Sequence, residues 1–426
     1  MAFSLTTALL GACGLSTTPT SPRLSPASPE PVQQASVRQA THLVVKRKTG
    51  SGADSTRLAF EQKYRVTLVI PHVLDAIGVD VVPVPATMDA ADLLARMSAD
   101  EGIEYARLPG KVSLPRLVRN GTDLSVKSGK GTSDPLRNLQ YGLTKVDAEA
   151  AWKITPGNGQ VAIAIIDTGV DFNHPDLKGK LLTGFSTIAA QPSGKDDHGH
   201  GTHCAGIAAA VTDNAVGVAG MAPKAMLMPV KVLDASGNGA DDDVATGIVW
   251  AADNGADVIS LSLGTDQADP LMKDAVAYAQ ARRNCVIVAA MGNDGASVAS
   301  YPAKFAGVIA VGATDAQDRL ASYSNFGSWM SVVAPGTGIV STFPTYAVTL
   351  NQSGYSKDYA SLDGTSMAAP FVAGLAALVK SQGTRQTPAQ VKAAITKGAD
   401  DLGVKGFDDR FGFGRINARK TLSSLK

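Results

Sequence analysis

Apolar residues fall into short unbroken runs in the second part of the chain. Val161–Ile166, Met226–Val232, Val258–Ser262, Val286–Ala290 and Val308–Gly312 are apolar without alternation. Runs of that length and kind predict strands buried on both faces. Helical segments separate them, among them the small-residue run Ala205–Ala210 and the run Met367–Lys380. Strands alternating with helices predict an α/β unit over residues 134–426, a parallel sheet with helices on both faces.

The first part reads differently. His42–Lys48 predicts a strand, and Ser55–Tyr64 a helix with Ser55 as its N-cap. Val66–Ile77 and Val79–Ala86 are β-rich, with Gly78 between them. Asp89–Ser98 predicts a helix with Leu93, Leu94 and Met97 on one face. Ile103–Leu108 closes as a strand. The order β-α-β-β-α-β predicts a small α+β, ferredoxin-like domain over residues 40–108. From Gly110 to Ser133 periodicity is lost, while Lys111, Arg116, Arg119, Lys127 and Lys130 sit among Gly and Ser. Residues 109–133 therefore read as an exposed linker where proteolysis concentrates.

Composition narrows the classes. The chain has 426 residues, 44% of them apolar, and a net charge of +1. That supports two folded units with a sizeable core and excludes a nucleic-acid partner on electrostatic grounds. Its three cysteines, Cys13, Cys204 and Cys285, are no disulfide framework. A Cys204–Cys285 bridge stays open, but both lie in apolar runs and read as small buried hydrophobes. Met1–Cys13 is a short apolar stretch ending Leu10-Gly11-Ala12-Cys13. It resembles an export signal with a lipobox, without the usual preceding Lys or Arg. Export is expected, with lipidation of Cys13 as a membrane attachment. Residues 14–39 are rich in Pro, Ser and Thr and read as a disordered spacer.

Three segments carry chemistry. Ile165-Ile166-Asp167-Thr168-Gly169 ends a predicted strand on an acid, where α/β sites form. His200-Gly201-Thr202-His203 opens a predicted helix. Gly364-Thr365-Ser366-Met367 opens another, with Pro370 expected in its first turn. In the order Asp, His, Ser, these can form a nucleophile, a base and an orienting carboxylate. Each has a plainer reading: Asp167 as a helix cap, Ser366 as a helix cap, and His198, His200 and His203 as metal ligands. A fourth segment, Met291-Gly292-Asn293-Asp294-Gly295, follows a predicted strand. Asn293 is a turn residue or an oxyanion donor.

With these segments the chain resembles the subtilisin-like serine proteases, the subtilases, and their thermitase-like branch in particular. The resemblance runs over Asp134–Leu425 and includes His174-Pro175-Asp176-Leu177 and Ser260-Leu261-Ser262-Leu263-Gly264. It implies a subtilisin-like fold with Asp167, His200 and Ser366 as the triad, and Asn293 in the oxyanion hole. It implies that peptide substrates lie between the edges Ser262, Leu263, Gly264 and Gly237, Gly239. Gly292 and the Ser300 region would wall an uncharged pocket with a broad apolar preference. It also implies a structural Ca²⁺ held by Asp134, Asp176, the Asn214 side chain and the carbonyls of Val211, Val216 and Val218. Ser331 stands where a weaker family site has an Asp. The expected protein is a secreted or envelope-attached serine endopeptidase and a monomer. Residues 40–108 would be its intramolecular inhibitor, an inhibitory propeptide. Asp241 is expected near the pocket for the fourth residue before the cut, where it would attract Lys or Arg.

Overall fold

The structure is a computed structural model that describes residues 41–48, 53–69, 72–116, 134–383 and 386–425. The export-signal, lipobox and spacer expectations lie outside these residues. So does most of the expected linker.

The N-terminal unit is built on the strands β1 (His42–Arg47), β2 (Val79–Pro83) and β3 (Ile103–Arg107), in the order β2-β1-β3, all antiparallel. Helices α1 (Ala53–Tyr64) and α2 (Ala90–Ser98) accompany them. Leu43 and Val45 turn inward to Phe60, Tyr64, Leu93 and Met97, a small core of its own. α1 starts two residues before the expected cap at Ser55. The expected strand Val66–Ile77 does not form among the described residues. Val66 and Leu68 alternate inward, but their N–H groups go to the Glu61 carbonyl and side chain rather than to a ladder. Val73–Ile77 is instead a 3₁₀ turn, capped by His72 and ended by Gly78 at φ 73°.

A short strand β4 (Lys111–Ser113) follows, inside the stretch expected to be structureless. The second unit holds short helices α3 (Tyr141–Lys145) and α4 (Ala148–Trp152), then strand β5 (Ala162–Asp167), β6 (Phe185–Ser186), helix α5 (His200–Ala209) and strand β7 (Met226–Lys231). After these come β8 (Asn238–Ala240), α6 (Asp241–Asp253), β9 (Val258–Leu261), α7 (Pro270–Arg283), β10 (Val286–Ala290) and β11 (Ile309–Thr314). The chain ends with β12 (Val332–Pro335), β13 (Ile339–Thr342), β14 (Tyr359–Leu362), α8 (Thr365–Lys380), α9 (Pro388–Lys397) and α10 (Ala418–Ser423).

Seven of these strands form one parallel sheet in the order β12-β11-β10-β9-β5-β7-β6. Residues on β5 alternate between two cores. Ile163 and Ile165 join α5 and α8 on one face, while Ala164 and Ile166 join α6 and α7 on the other. Burial on both faces is why these strands read as unbroken apolar runs. Among the described residues no helix is long and apolar enough to cross a membrane.

Candidate active site

Asp167 is the last residue of β5 and 1% exposed, so the central strand delivers a carboxylate to the carboxyl edge of the sheet. Its Oδ1 lies 2.8 Å from His200 Nδ1, and its Oδ2 lies 3.0 Å away. A close approach makes this contact. A Cβ on Gly201 would stand 2.1 Å from the Gly169 carbonyl, so only glycine lets α5 sit against β5 here. Burial disfavours the His200 imidazolium, but the Asp167 carboxylate outweighs it and holds the pKa well above 6.5. His198 and His203 behave oppositely: burial pushes them down to about 4 and about 3. His203 Nε2 faces the carbonyls of Ile339 and Ala360 at 3.0 and 3.1 Å. It is thereby turned away from the pair, and the three histidines do not converge on one point.

Ser366 is the second residue of α8 and 1% exposed. Its Oγ donates to the Ser262 carbonyl at 3.2 Å, and His200 Nε2 is buried with no hydrogen-bond partner among the described residues. Pro370 lies at the sixth position of α8, beyond the first turn where it was expected. It has no N–H for the Ser366 carbonyl. That carbonyl accepts instead from Ser262 Oγ at 2.9 Å and from Cys204 Sγ at 3.5 Å. The proline thus helps tie the helix start to the Ser262 edge and to α5. Cys204 and Cys285 are both buried and unbridged.

Asn293 follows β10. Its Oδ1 accepts from Thr365 N at 3.0 Å and Thr365 Oγ1 at 2.8 Å, which leaves Nδ2 aimed across the cleft. There Nδ2 donates to the carbonyl of Arg116 at 2.9 Å. The chain's own residues fill the groove beside it. β4 pairs antiparallel with β8, Val112 opposite Gly239, and Leu114 N donates to Gly237 O at 3.0 Å. On the other side Ser113 and Gly264 exchange both backbone hydrogen bonds, at 3.2 and 3.0 Å. The two expected edges therefore flank one strand, as β-augmentation requires. A cavity of about 550 Å³ opens beside Arg116, lined by Gly264, Gly292, Val298, Ser300, Asp266 and Asp294. Both signs of charge line it, Lys111 and Arg116 as well as Asp266 and Asp294.

Asp241, expected near the pocket for the fourth residue before the cut, pairs with Arg107 of the N-terminal unit at 2.9 Å. Two supporting groups were missed in the sequence. Asp196 accepts from the N–H groups of His198, Gly199 and Thr202 and from Thr202 Oγ1, and so anchors the start of α5. Asp196 lies three residues before the N-cap, Gly199, so no capping pattern in the sequence points to it. Lys231, fully buried, donates to Asp197 and to the carbonyls of Thr168 and Leu233. A lone lysine ending an apolar strand gives no signal either.

A further group lies away from the cleft. Asp134 accepts from the N–H groups of Asp213 and Asn214, both at 3.0 Å. Asp176 accepts from Val218 N at 2.7 Å and Asn214 Nδ2 at 2.9 Å. Burial raises both carboxyls, Asp176 to about 7. Ser331 is hydrogen-bonded to Ala310 N at the start of β12 and offers no carboxylate.

A family model described as the subtilase family matches residues 158–414, more than half of the chain. The chain belongs to the subtilase family. Thermitase of Thermoactinomyces vulgaris is 47% identical over 291 residues, 68% of this chain and 98% of that protein. Thermophilic serine proteinase of Bacillus sp. strain AK1 is 47% identical over 282 residues, and the match spans 66% of each. The crystal structure of fervidolysin from Fervidobacterium pennivorans, described as a keratinolytic enzyme related to subtilisin, superposes with a TM-score of 0.76 at 28% identity. That superposition covers 91% of this subtilase and 61% of the other chain. It extends beyond the second unit into the first.

Proposed function

We propose that this subtilase is a serine endopeptidase made as a zymogen that cuts itself at the bond following Arg116. One observation carries the reading: the oxyanion-type donor Asn293 Nδ2 already holds the Arg116 carbonyl oxygen. Ser366 Oγ turns about its Cα–Cβ bond from Ser262 toward His200 Nε2 and attacks the Arg116 carbonyl carbon. His200 takes the hydroxyl proton, and Asp167 fixes its tautomer through Nδ1. The tetrahedral oxyanion is stabilised by Asn293, a contact worth about 10²–10³ in kcat. His200 returns the proton to the leaving amine of Leu117, which leaves an Arg116–Ser366 ester. Water, deprotonated by His200, then attacks the ester carbonyl; His200 returns that proton to Ser366 Oγ as the ester bond breaks, and Arg116 is freed as a carboxylate.

Other peptides would enter the same groove between Ser262–Leu263–Gly264 and Gly237–Gly239. The neighbouring pocket beside Gly292 accepts apolar side chains, and basic ones opposite Asp266 and Asp294. Asp134, Asp176, the Asn214 side-chain oxygen and the carbonyls of Val211, Val216 and Val218 would hold a Ca²⁺ ion, which prefers oxygen ligands. The ion would supply positive charge to two buried carboxylates. Residues 1–13 support a secreted or envelope-attached protein, with Cys13 as the lipid-bearing residue.

The test is the mass and N-terminal sequence of purified protein, wild type beside Ser366→Ala. The expected wild-type product begins at Leu117, and the variant stays full length. A Ser366→Ala protein cut at Arg116, in a host with no protease able to cut there, would overturn the proposal.

A further inference from the structure

A second cavity, of about 270 Å³, shares no lining residue with the one in the groove. Its walls are aromatic: Phe305, Trp329, Phe407 and Phe413. Phe407 and Phe413 meet edge to face with ring centroids 5.3 Å apart, yet remain 43% and 46% exposed. Large apolar side chains left this open beside a cavity mark a binding surface.

The charge at this cavity is of one sign. Lys304 and Lys392 line it, and no Asp or Glu does. Lys304 Nζ stands 4.6 Å from the centre of the Trp329 ring. Lys392, on α9, is half-buried and donates to the Val308 carbonyl at 2.8 Å. Burial lowers its pKa below the usual 10.5, and no carboxylate offsets that effect. Among the described residues neither lysine forms an ion pair. An ammonium has three N–H donors, so Lys392 keeps two for a partner. Ser331 lines the same cavity and brings no negative charge. Asp408, beside Phe407 in sequence, is held by the backbone N–H groups of Val404, Arg410 and Phe411. The cavity therefore repels cations and favours an anion.

Size and chemistry narrow that anion. The volume lies just below the roughly 300–1,000 Å³ of small-molecule sites. It suits one amino-acid residue better than a nucleotide or a long acyl chain. Aromatic walls favour an apolar side chain, and two ammonium groups favour a carboxylate. We propose that this cavity is a second binding site, which captures the C-terminal residue of a peptide. Lys304 and Lys392 hold the terminal carboxylate, and the apolar side chain lies against Phe407 and Phe413. A serine endopeptidase leaves such an end at every cut, so the site takes fragments of the kind the enzyme produces.

The experiment is calorimetric titration of full-length Ser366→Ala protein with N-acetyl-L-phenylalanine, beside its amide and octanoate. Because this variant does not turn over, the outcome is independent of whether the protein cuts itself. The acid should bind with a Kd on the order of a millimolar, as befits a small ligand on an open site. The amide should bind severalfold more weakly, since exposed ion pairs are each worth little. Lys304→Met and Lys392→Met should each weaken the acid severalfold and leave the amide unchanged, while Lys392→Arg should keep the acid bound. Roughly molar sodium chloride should weaken the acid alone. The acid–amide comparison needs no lysine variant, so the test stands if Lys392→Met does not fold. Equal affinity for acid and amide, acid binding unchanged in both methionine variants, or tighter binding of octanoate than of the acid would each overturn the proposal.

Discussion

Lys180 shows how one residue sets a pH response. It is 6% exposed, and its Nζ donates to the carbonyls of Ala222 and Pro223. Burial lowers its pKa from 10.5 to about 7. Between those values the unfolded chain binds more protons than the folded one, so stability rises with pH across the window. Below about pH 7 the full deficit is present. Lys180→Met removes the charge and keeps the bulk, although it deprives two carbonyls of a donor. In a Ser366→Ala background, which prevents self-digestion, the substitution should raise Tm at neutral pH by at least about 2 °C. The gain should shrink toward pH 10. Parallel Tm–pH curves for the two proteins would refute this origin of the slope.

At the scale of elements, the catalytic pair depends on how closely α5 approaches β5. The first turn of α5 carries His200, β5 ends on Asp167, and Gly201 is the point of contact. Gly201→Ala puts a methyl group against the Gly169 carbonyl, and the helix must back away. A displacement of about 1 Å at a reacting group costs on the order of a hundredfold in rate. The expected result is a kcat fall of that size with KM little changed, read on a small peptide substrate. An unchanged kcat would mean that the helix shifts without moving His200. The same reasoning explains β4. Its residues carry no strand signal of their own, because Lys111-Val112-Ser113 is extended only by the edges on either side.

Over the whole molecule, the oxygen-rich group ties the beginning of the second unit to its interior. Asp134 is bonded to the 213–214 backbone, Leu136 N donates to Gly217 O at 2.7 Å, and Asp176 holds Val218. An ion binding there stabilises the folded chain by mass action. Calcium should therefore raise the Tm of the Ser366→Ala protein relative to chelator, and Asp176→Ala should abolish most of that difference. Equal melting with calcium and with chelator would refute the site.

By itself the sequence determined the parallel sheet and the order Asp167, His200, Ser366. Unbroken apolar runs and strand-end acids follow from burial on both faces, which leaves its mark locally. It also marked Asn293 and both groove edges through their resemblance to the subtilases. Which histidine would pair with Asp167 stayed open from spacing alone, because His198, His200 and His203 are equally placed in sequence. Only the packing of α5 on β5 separates them, by turning His203 to two carbonyls. The position of Pro370 and the buried Lys231 were likewise decided by partners distant in sequence, whereas the expected strand Val66–Ile77, absent among the described residues, lost its N–H groups to nearby Glu61. Distant partners also decided the strand in the groove and the pairing of Arg107 with Asp241. Each depends on contacts across more than a hundred residues of chain, and no local pattern encodes which surface an extended segment or a lone charge will meet.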